Sequence, residues 1–150
     1  MFSKACEYGL RATIYIAQKT SEEKKLGIEE IAKAIDSPMH FTGKILQSLT
    51  RAQVVSSIKG PNGGFYITSK QRQFPLIAVL GAFDEDTVLK KCVLGLKECS
   101  EAKPCPMHRQ YKLIKQQLIR LFESKVIDDL SSDLDKGIFY INNKKTKASK

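Results

Sequence analysis

Three of the four cysteines and one of the two histidines lie together between positions 92 and 108 of the 150-residue chain. Cys92, Cys99, Cys105 and His108 follow the pattern C-x6-C-x5-C-x2-H. Thiolates and imidazole are the ligands that zinc and iron–sulfur clusters select. The spacing is wider than the C-x2–4-C pairs of zinc fingers, so it favours a loop that wraps an inorganic cluster. The alternative is a loop of scattered, half-buried cysteines, because a single cysteine is more often a small core residue.

Cys105 and His108 could also form a nucleophile and its general base, since they are three residues apart. No third residue to orient the histidine and no oxyanion loop is evident, so we expect no catalytic residues and no enzyme.

Composition indicates one globular domain with a substantial core, because 42% of residues are hydrophobic and 27% are charged. No apolar run approaches the roughly 18 residues that span a bilayer. The first residues lack the apolar region and cleavage site of a signal peptide. We therefore expect a cytoplasmic protein without membrane contact, whose cysteines stay reduced.

The net charge of +9 is unevenly distributed. No Asp or Glu occurs from Ser37 to Phe83, although the whole chain contains 16 acidic residues. The same stretch contains five cationic residues, Lys44, Arg51, Lys59, Lys70 and Arg72. A cationic segment without acids is typical of a surface that binds a polyphosphate such as DNA.

The N-terminal pattern predicts three helices, over about residues 2–18, 28–35 and 38–52. The second and third are separated by Asp36-Ser37-Pro38, which can end one helix and cap the next. This arrangement is typical of a helix-turn-helix whose second helix enters the major groove. The residues expected to face the groove are Pro38, His40, Thr42, Lys44, Gln47 and Arg51.

A β-hairpin is predicted directly after the third helix. Its strands are about residues 54–59 and 65–68, and a glycine-rich turn joins them. A hairpin in this position is the wing of a winged helix, and its tip can approach DNA without side-chain clashes. The wing residues expected to contact DNA are Ser57, Lys59, Gly60, Pro61, Asn62, Gly63 and Gly64.

The remaining chain predicts a mostly apolar helix at residues 76–83, a loop from 84 to 104 and a long helix at about 107–123. Apolar positions in the long helix recur at spacings of three and four residues, which is typical of a heptad seam. These are Tyr111, Ile114, Leu118 and Leu121, and we expect them to form a dimer interface. A second set, Val126, Ile127 and Leu130, favours the same pairing between subunits.

The predicted fold is therefore mainly α with a small β-hairpin: a winged helix-turn-helix followed by a long dimerisation helix. Residues 1–83 form the DNA-binding domain, and residues 84–134 form a cysteine-bearing sensor loop and the dimerisation helix. Residues 135–150 are expected to be a basic, disordered tail.

Three motifs together resemble the Rrf-two (Rrf2) family of bacterial transcription regulators, the group that contains IscR and NsrR. They are Glu7-Tyr8-Gly9-Leu10-Arg11-Ala12, the wing Ser57-Ile58-Lys59-Gly60-Pro61-Asn62-Gly63-Gly64-Phe65, and the set of three cysteines with His108. Lys59 stands where the family usually has Arg. The gap between the first two cysteines is one residue longer than in the best-known members.

The resemblance implies that Cys92, Cys99 and Cys105 bind a [2Fe–2S] or [4Fe–4S] cluster. The fourth ligand would match His108 in IscR-like members, or Glu7 from the other subunit in NsrR-like members. Cys6 belongs to no motif and is predicted to be a packed residue on helix one.

We therefore expect a homodimeric repressor or activator, most simply a repressor, that binds an inverted-repeat DNA operator with an affinity controlled by the cluster. The alternative is a regulator of the same fold without a cluster, which responds through thiol oxidation, zinc or a protein partner.

Overall fold

A computed structural model describes residues 1–143. Its first three helices are α1 (Lys4–Lys19), α2 (Ile28–Ile35) and α3 (Met39–Arg51). The Ser3 hydroxyl caps α1 by accepting a hydrogen bond from the Cys6 N–H, at 3.2 Å. Asp36 ends α2 in the left-handed conformation, and Pro38 precedes the first turn of α3. The predicted helix-turn-helix is thus present.

The predicted hairpin is also present, with shorter strands. β1 (Ser56–Ile58) pairs antiparallel with β2 (Gly64–Tyr66), and the turn closes through a 2.9 Å hydrogen bond from Gly63 N–H to the Gly60 carbonyl. Leu26 and Phe65 exchange two backbone hydrogen bonds, of 2.9 and 2.8 Å. Because Leu26 lies between α1 and α2, this bridge fixes the hairpin against the helices. The fold is a winged helix, as predicted.

The C-terminal half is helical. It contains α4 (Ser69–Arg72), α5 (Leu76–Gly81), a 3-10 helix (Asp86–Lys90), α6 (His108–Ser124) and α7 (Ile127–Asp135). The long helix α6 matches the predicted one to within a residue at each end. Helix α4 was not predicted, and α7 was expected only as part of an interface between subunits.

That expectation is wrong for Ile127. Ile127 is fully buried in the main core of its own chain, and Val126 and Leu130 are half-buried. The physical reason is a short antiparallel bridge, in which Ile127 N–H donates to the Phe74 carbonyl and Leu76 N–H donates to the Lys125 carbonyl. This bridge brings the start of α7 onto the core, where α7 packs along α1.

A second, smaller core cluster joins α1 to the C-terminal half. It contains Cys6, Leu80 and Leu89, with Leu118 and Phe83 packed at its edge. Cys6 is completely buried, as predicted, and burial raises the pKa of its thiol far above the ordinary value. Nearby, α1 approaches Phe83 so closely that a Cβ at position 9 would overlap the Phe83 ring, so only glycine fits there.

After α7 the chain turns back toward the helix-turn-helix. The Asn142 side-chain amide donates to the Ala34 carbonyl of α2 at 3.2 Å, so this part of the predicted tail has a contact with the domain. Residues 144–150 of that tail lie outside the described residues. Within residues 1–143, no helix has the length and apolar character needed to cross a membrane.

Candidate functional site

The outer face of α3 carries the residues that were expected to reach a DNA groove. Pro38, His40, Lys44, Gln47 and Arg51 are all exposed. Neither α3 nor the hairpin contains a carboxylate side chain, so no acid offsets their positive charge. This face is therefore suited to phosphate and base contacts.

Thr42 does not belong to this face, and the prediction for it is wrong. Its side chain is completely buried, and Oγ1 lies 2.9 Å from both the Pro38 carbonyl oxygen and Ser37 Oγ. A threonine hydroxyl can be satisfied by the preceding turn of its own helix, which removes the cost of burying it. Thr42 thus fixes the start of α3 and is not available to contact DNA.

The wing residues lie beyond the end of α3. Ser57, Lys59, Gly60, Pro61 and Asn62 are exposed, whereas Gly63 and Gly64 are half-buried where the hairpin meets the segment before α2. A groove of about 480 Å³ separates the end of α3 from the hairpin. Among the residues that line it, Thr50, Gln53 and Lys70 had not been predicted as site residues. Only Lys70 had a sequence signal, its position in the acid-free stretch.

The cysteines lie between the 3-10 helix and α6. Cys92 follows the 3-10 helix and is buried, and its carbonyl accepts a hydrogen bond from Gly95 N–H at 3.0 Å. Gly95 has a φ of 74°, which a side chain disfavours, so glycine allows a turn between the first two cysteines. Cys105 precedes α6, and its carbonyl accepts a hydrogen bond from His108 N–H at 3.0 Å.

The four candidate ligands of this segment form two close pairs. Cys92 Sγ lies 3.9 Å from Cys105 Sγ, and Cys99 Sγ lies 3.5 Å from His108 Nδ1. Two sulfurs bound to one tetrahedral metal at about 2.3 Å are about 3.8 Å apart, and a sulfur and an imidazole nitrogen are about 3.6 Å apart. Both pairs therefore have the spacing of two ligands that share a tetrahedral metal.

No group of three or more candidate ligands surrounds a single point within the part of the chain that the structure describes. The geometry consists of two pairs rather than one four-ligand cage. Within one chain, His108 is the candidate fourth ligand that lies beside a cysteine. Glu7, the candidate from the other subunit, lies on α1, where its carboxylate is 3.9 Å from Lys4 Nζ.

The electrostatic surroundings favour the ligand form of Cys92. Backbone N–H groups of Leu94 and Leu96 point at the Cys92 sulfur and lower the pKa of its thiol, which favours the thiolate. His108 is buried, and its Nε2 has no hydrogen-bond partner although Glu101 Oε1 lies 3.4 Å away. Lys112 contacts the same carboxylate and, with His108, lowers the pKa of Glu101. The carboxylate of Glu101 thus lies beside His108 Nε2, the ring nitrogen that does not face Cys99.

This pairing also bears on the enzyme alternative. The imidazole of His108 contacts Cys99 rather than Cys105, so the pair of nucleophile and base considered as the alternative is not formed.

The predicted dimer seam on α6 is divided between two environments. Tyr111 and Leu118 are half-buried, and Leu118 packs on the second core cluster of its own chain. Ile114 and Leu121 are 53% and 48% exposed, and Leu113 beside them is 63% exposed. The exposed apolar surface of α6 is therefore centred on Leu113, Ile114 and Leu121.

Comparisons with known proteins agree with the winged-helix fold. An HTH-type transcriptional regulator of Aquifex aeolicus is 29% identical over 144 residues, covering 95% of this chain and 99% of the relative. The NsrR regulator of Geobacillus kaustophilus is 25% identical over 85% of this chain and 86% of its own. CymR, the global cysteine regulator of Bacillus subtilis, has a similar structure, with a TM-score of 0.73, 20% identity and coverage of 89% of this chain and 97% of CymR.

These relatives are transcriptional regulators and not enzymes, as expected. The model of the Rrf2 family, described as iron-dependent transcriptional regulators, matches residues 2–133, so this chain belongs to the Rrf2 family.

Proposed function

We propose that this regulator binds an operator through α3 and the wing, and that an iron–sulfur cluster bound by Cys92, Cys99, Cys105 and His108 controls its affinity. The single observation that supports the cluster is the pair of tetrahedral ligand spacings, 3.9 Å and 3.5 Å. Two pairs suit the two irons of a [2Fe–2S] cluster: Cys92 and Cys105 would hold one iron, and Cys99 and His108 would hold the other. The family description as iron-dependent is consistent with this proposal.

On the DNA side, α3 would lie in the major groove and the wing would lie along the adjacent minor groove. Gln47 can form two hydrogen bonds with an adenine edge, and Lys44 and Arg51 can contact guanine or phosphate. Lys59 would contact the phosphate backbone from the wing. A homodimer related by two-fold symmetry would read an inverted repeat, and the exposed apolar surface of α6 would form its interface.

The cluster, when bound, supplies strong metal–ligand bonds that cross-link the loop. The chain's own residues would transmit that constraint. Cys105 precedes α6 and His108 begins it, and Leu118 of α6 packs on the second core cluster, which contains Cys6 of α1. Changing DNA affinity 5- to 150-fold needs a coupling of about 1–3 kcal/mol, which is small beside several metal–ligand bonds. The energy is therefore available, and the packing between α6 and α1 offers a route to the DNA-binding helices.

Anaerobic purification followed by iron and sulfide analysis tests the proposal directly. Cys99→Ala should abolish cluster uptake and hold DNA affinity at the cluster-free value, while circular dichroism and dimer mass stay unchanged. His108→Ala should also impair uptake, whereas Glu7→Gln should not. If Cys99→Ala still follows the wild-type response to iron, the cluster does not control DNA binding. If Glu7→Gln alone loses iron, the fourth ligand is Glu7.

A regulator that works without a cluster is the second candidate, and the likeness to the cysteine regulator CymR favours it. Anaerobically purified protein with no iron and no sulfide, but with DNA affinity that changes on thiol oxidation, would support this candidate over the first.

A further inference from the structure

The two cysteine sulfurs that lie closest together in the chain can react with each other without a metal. Cys92 Sγ and Cys105 Sγ lie 3.9 Å apart, and all four cysteines are free. The other two thiols are engaged elsewhere, Cys99 beside His108 and Cys6 inside the second core cluster. We propose that Cys92 and Cys105 form a specific disulfide when the site holds no metal, and that a low-molecular-weight disulfide is the oxidant.

The backbone on both sides of this pair is held in place. Cys92 is fixed by the 3-10 helix before it and by the Gly95 N–H bonded to its carbonyl. Cys105 is fixed by the His108 N–H, in the turn that begins α6. A disulfide requires an S–S distance of about 2.05 Å, so the sulfurs must approach each other by about 1.9 Å. Rotation of the two side chains about their Cα–Cβ bonds can supply a movement of this size.

The difference in exposure between the two thiols decides which of them reacts with the oxidant first. Cys105 is half-buried, whereas Cys92 is only 8% exposed, so the oxidant meets Cys105 first. The Cys105 thiolate attacks one sulfur of the oxidant, which forms a mixed disulfide and releases one thiol. The Cys92 thiolate then attacks Cys105 Sγ and displaces the second thiol. The two protein thiols lose two protons and two electrons, and the oxidant's S–S bond is reduced to two thiols.

The disulfide has a consequence for the proposed cluster. It occupies two of the three sulfur donors, so the oxidised chain cannot hold the proposed cluster until a reductant opens the bond. The disulfide itself does not depend on the cluster proposal, because it forms in metal-free protein.

The experiment uses the full-length chain, reduced, stripped with a chelator and incubated with glutathione disulfide. Digestion with trypsin and with a protease that cleaves after Glu separates the cysteines, because Lys91, Lys97, Glu98 and Glu101 lie between or beside them. Mass spectrometry without reductant then identifies each cross-link. We expect the peptides of Cys92 and Cys105 to be joined, with a mass lower by two hydrogens than the sum of the separate peptides.

Three matched variants complete the test. Cys99→Ser should retain the cross-link, whereas Cys92→Ser and Cys105→Ser should lose it. Cys92→Ser should instead accumulate a mixed disulfide with glutathione on Cys105. A major cross-link that contains Cys99, or the absence of any cross-link in wild-type protein whose circular dichroism is native, would overturn the proposal. Iron and sulfide analysis of separately prepared protein tests the cluster, so the two proposals can fail independently.

Discussion

The winged-helix half and the cysteine segment of this chain differ in what fixes their side chains. Ile31, Ile45, Leu46 and Leu49 around the helix-turn-helix are buried almost completely, whereas Val93, Leu94 and Leu96 in the cysteine segment are 45–53% exposed. Apolar burial therefore determines the shape of the DNA-binding face. In the cysteine segment, backbone turns and contacts between candidate ligand side chains determine the geometry. These are the contacts that metal and oxidant would change under the two proposals above.

The largest expected effect comes from the same substitution made in each region. Leu49→Ala removes a fully buried side chain and should lower the free energy of unfolding by about 2–5 kcal/mol. Leu96→Ala removes one that is 53% exposed and should change it by less than about 0.5 kcal/mol. Urea denaturation of both variants measures the difference. Equal destabilisation would mean that the cysteine segment is packed as firmly as the core.

The next effect concerns assembly. Ile114→Asp places a charge on the exposed apolar surface of α6 and should convert a dimer into a monomer with weaker operator binding. Leu118→Asp would be less informative, because Leu118 also packs in its own chain and the variant would lose stability. Ser132→Asp places the same charge at an exposed position of α7, outside this surface, and serves as the matched control. Light scattering gives the mass of each variant, and an Ile114→Asp protein that stays dimeric would refute this interface.

Sequence patterns predicted the elements well because helix period, caps and turn glycines are local properties. They predicted the order of helices, hairpin and long helix, and the burial of Cys6. They failed for Thr42 and Ile127, because whether these side chains are buried depends on which other parts of the chain pack against them. A threonine on a helix can be exposed, or buried against the preceding turn. An apolar stripe can face its own core as well as a second subunit.

The candidate site shows the same limit. The spacing of Cys92, Cys99, Cys105 and His108 indicated a ligand set, but it could not indicate which members would pair. The pairing depends on where the 3-10 helix and α6 place the two ends of the loop, and that is set by distant packing. Glu101 beside His108 had no sequence signal, since an acid in an exposed loop is common.

A smaller effect distinguishes the wing from the cysteine segment in DNA binding. Lys59→Ala removes one exposed charge at the hairpin and should reduce the slope of log affinity against log salt by about one unit. Lys97→Ala removes an equally exposed charge from the cysteine segment and should leave the slope unchanged. Fluorescence anisotropy over a series of salt concentrations measures both. An unchanged slope for Lys59→Ala would count against the wing as a phosphate contact.

The smallest effect lies where the two regions join. Glu85 accepts hydrogen bonds from the Ser3 N–H at 2.8 Å and from the Ser3 hydroxyl at 2.9 Å, which ties the start of α1 to the segment before the 3-10 helix. Partial burial tends to raise the pKa of this carboxyl, but the hydrogen bonds from Ser3 and Cys6 outweigh it, so the pKa is lowered. The charged carboxylate is therefore favoured in the folded state. Its contribution to stability is present above the ordinary Glu pKa of about 4.3 and is lost as pH falls through the lower, folded value.

Glu85→Gln should consequently unfold at a slightly lower temperature than wild type near neutral pH, and the difference should shrink as the pH falls below about 4. Glu98→Gln removes an exposed carboxylate from the cysteine segment and should follow the wild-type curve throughout. Thermal unfolding followed by circular dichroism at a series of pH values compares the three proteins. If Glu85→Gln and wild type differ equally at every pH, the carboxylate charge is not what joins α1 to the segment before the 3-10 helix. Such a constant difference would instead reflect a lost hydrogen bond, because the two bonds from Ser3 go to different carboxylate oxygens and a glutamine amide has only one oxygen.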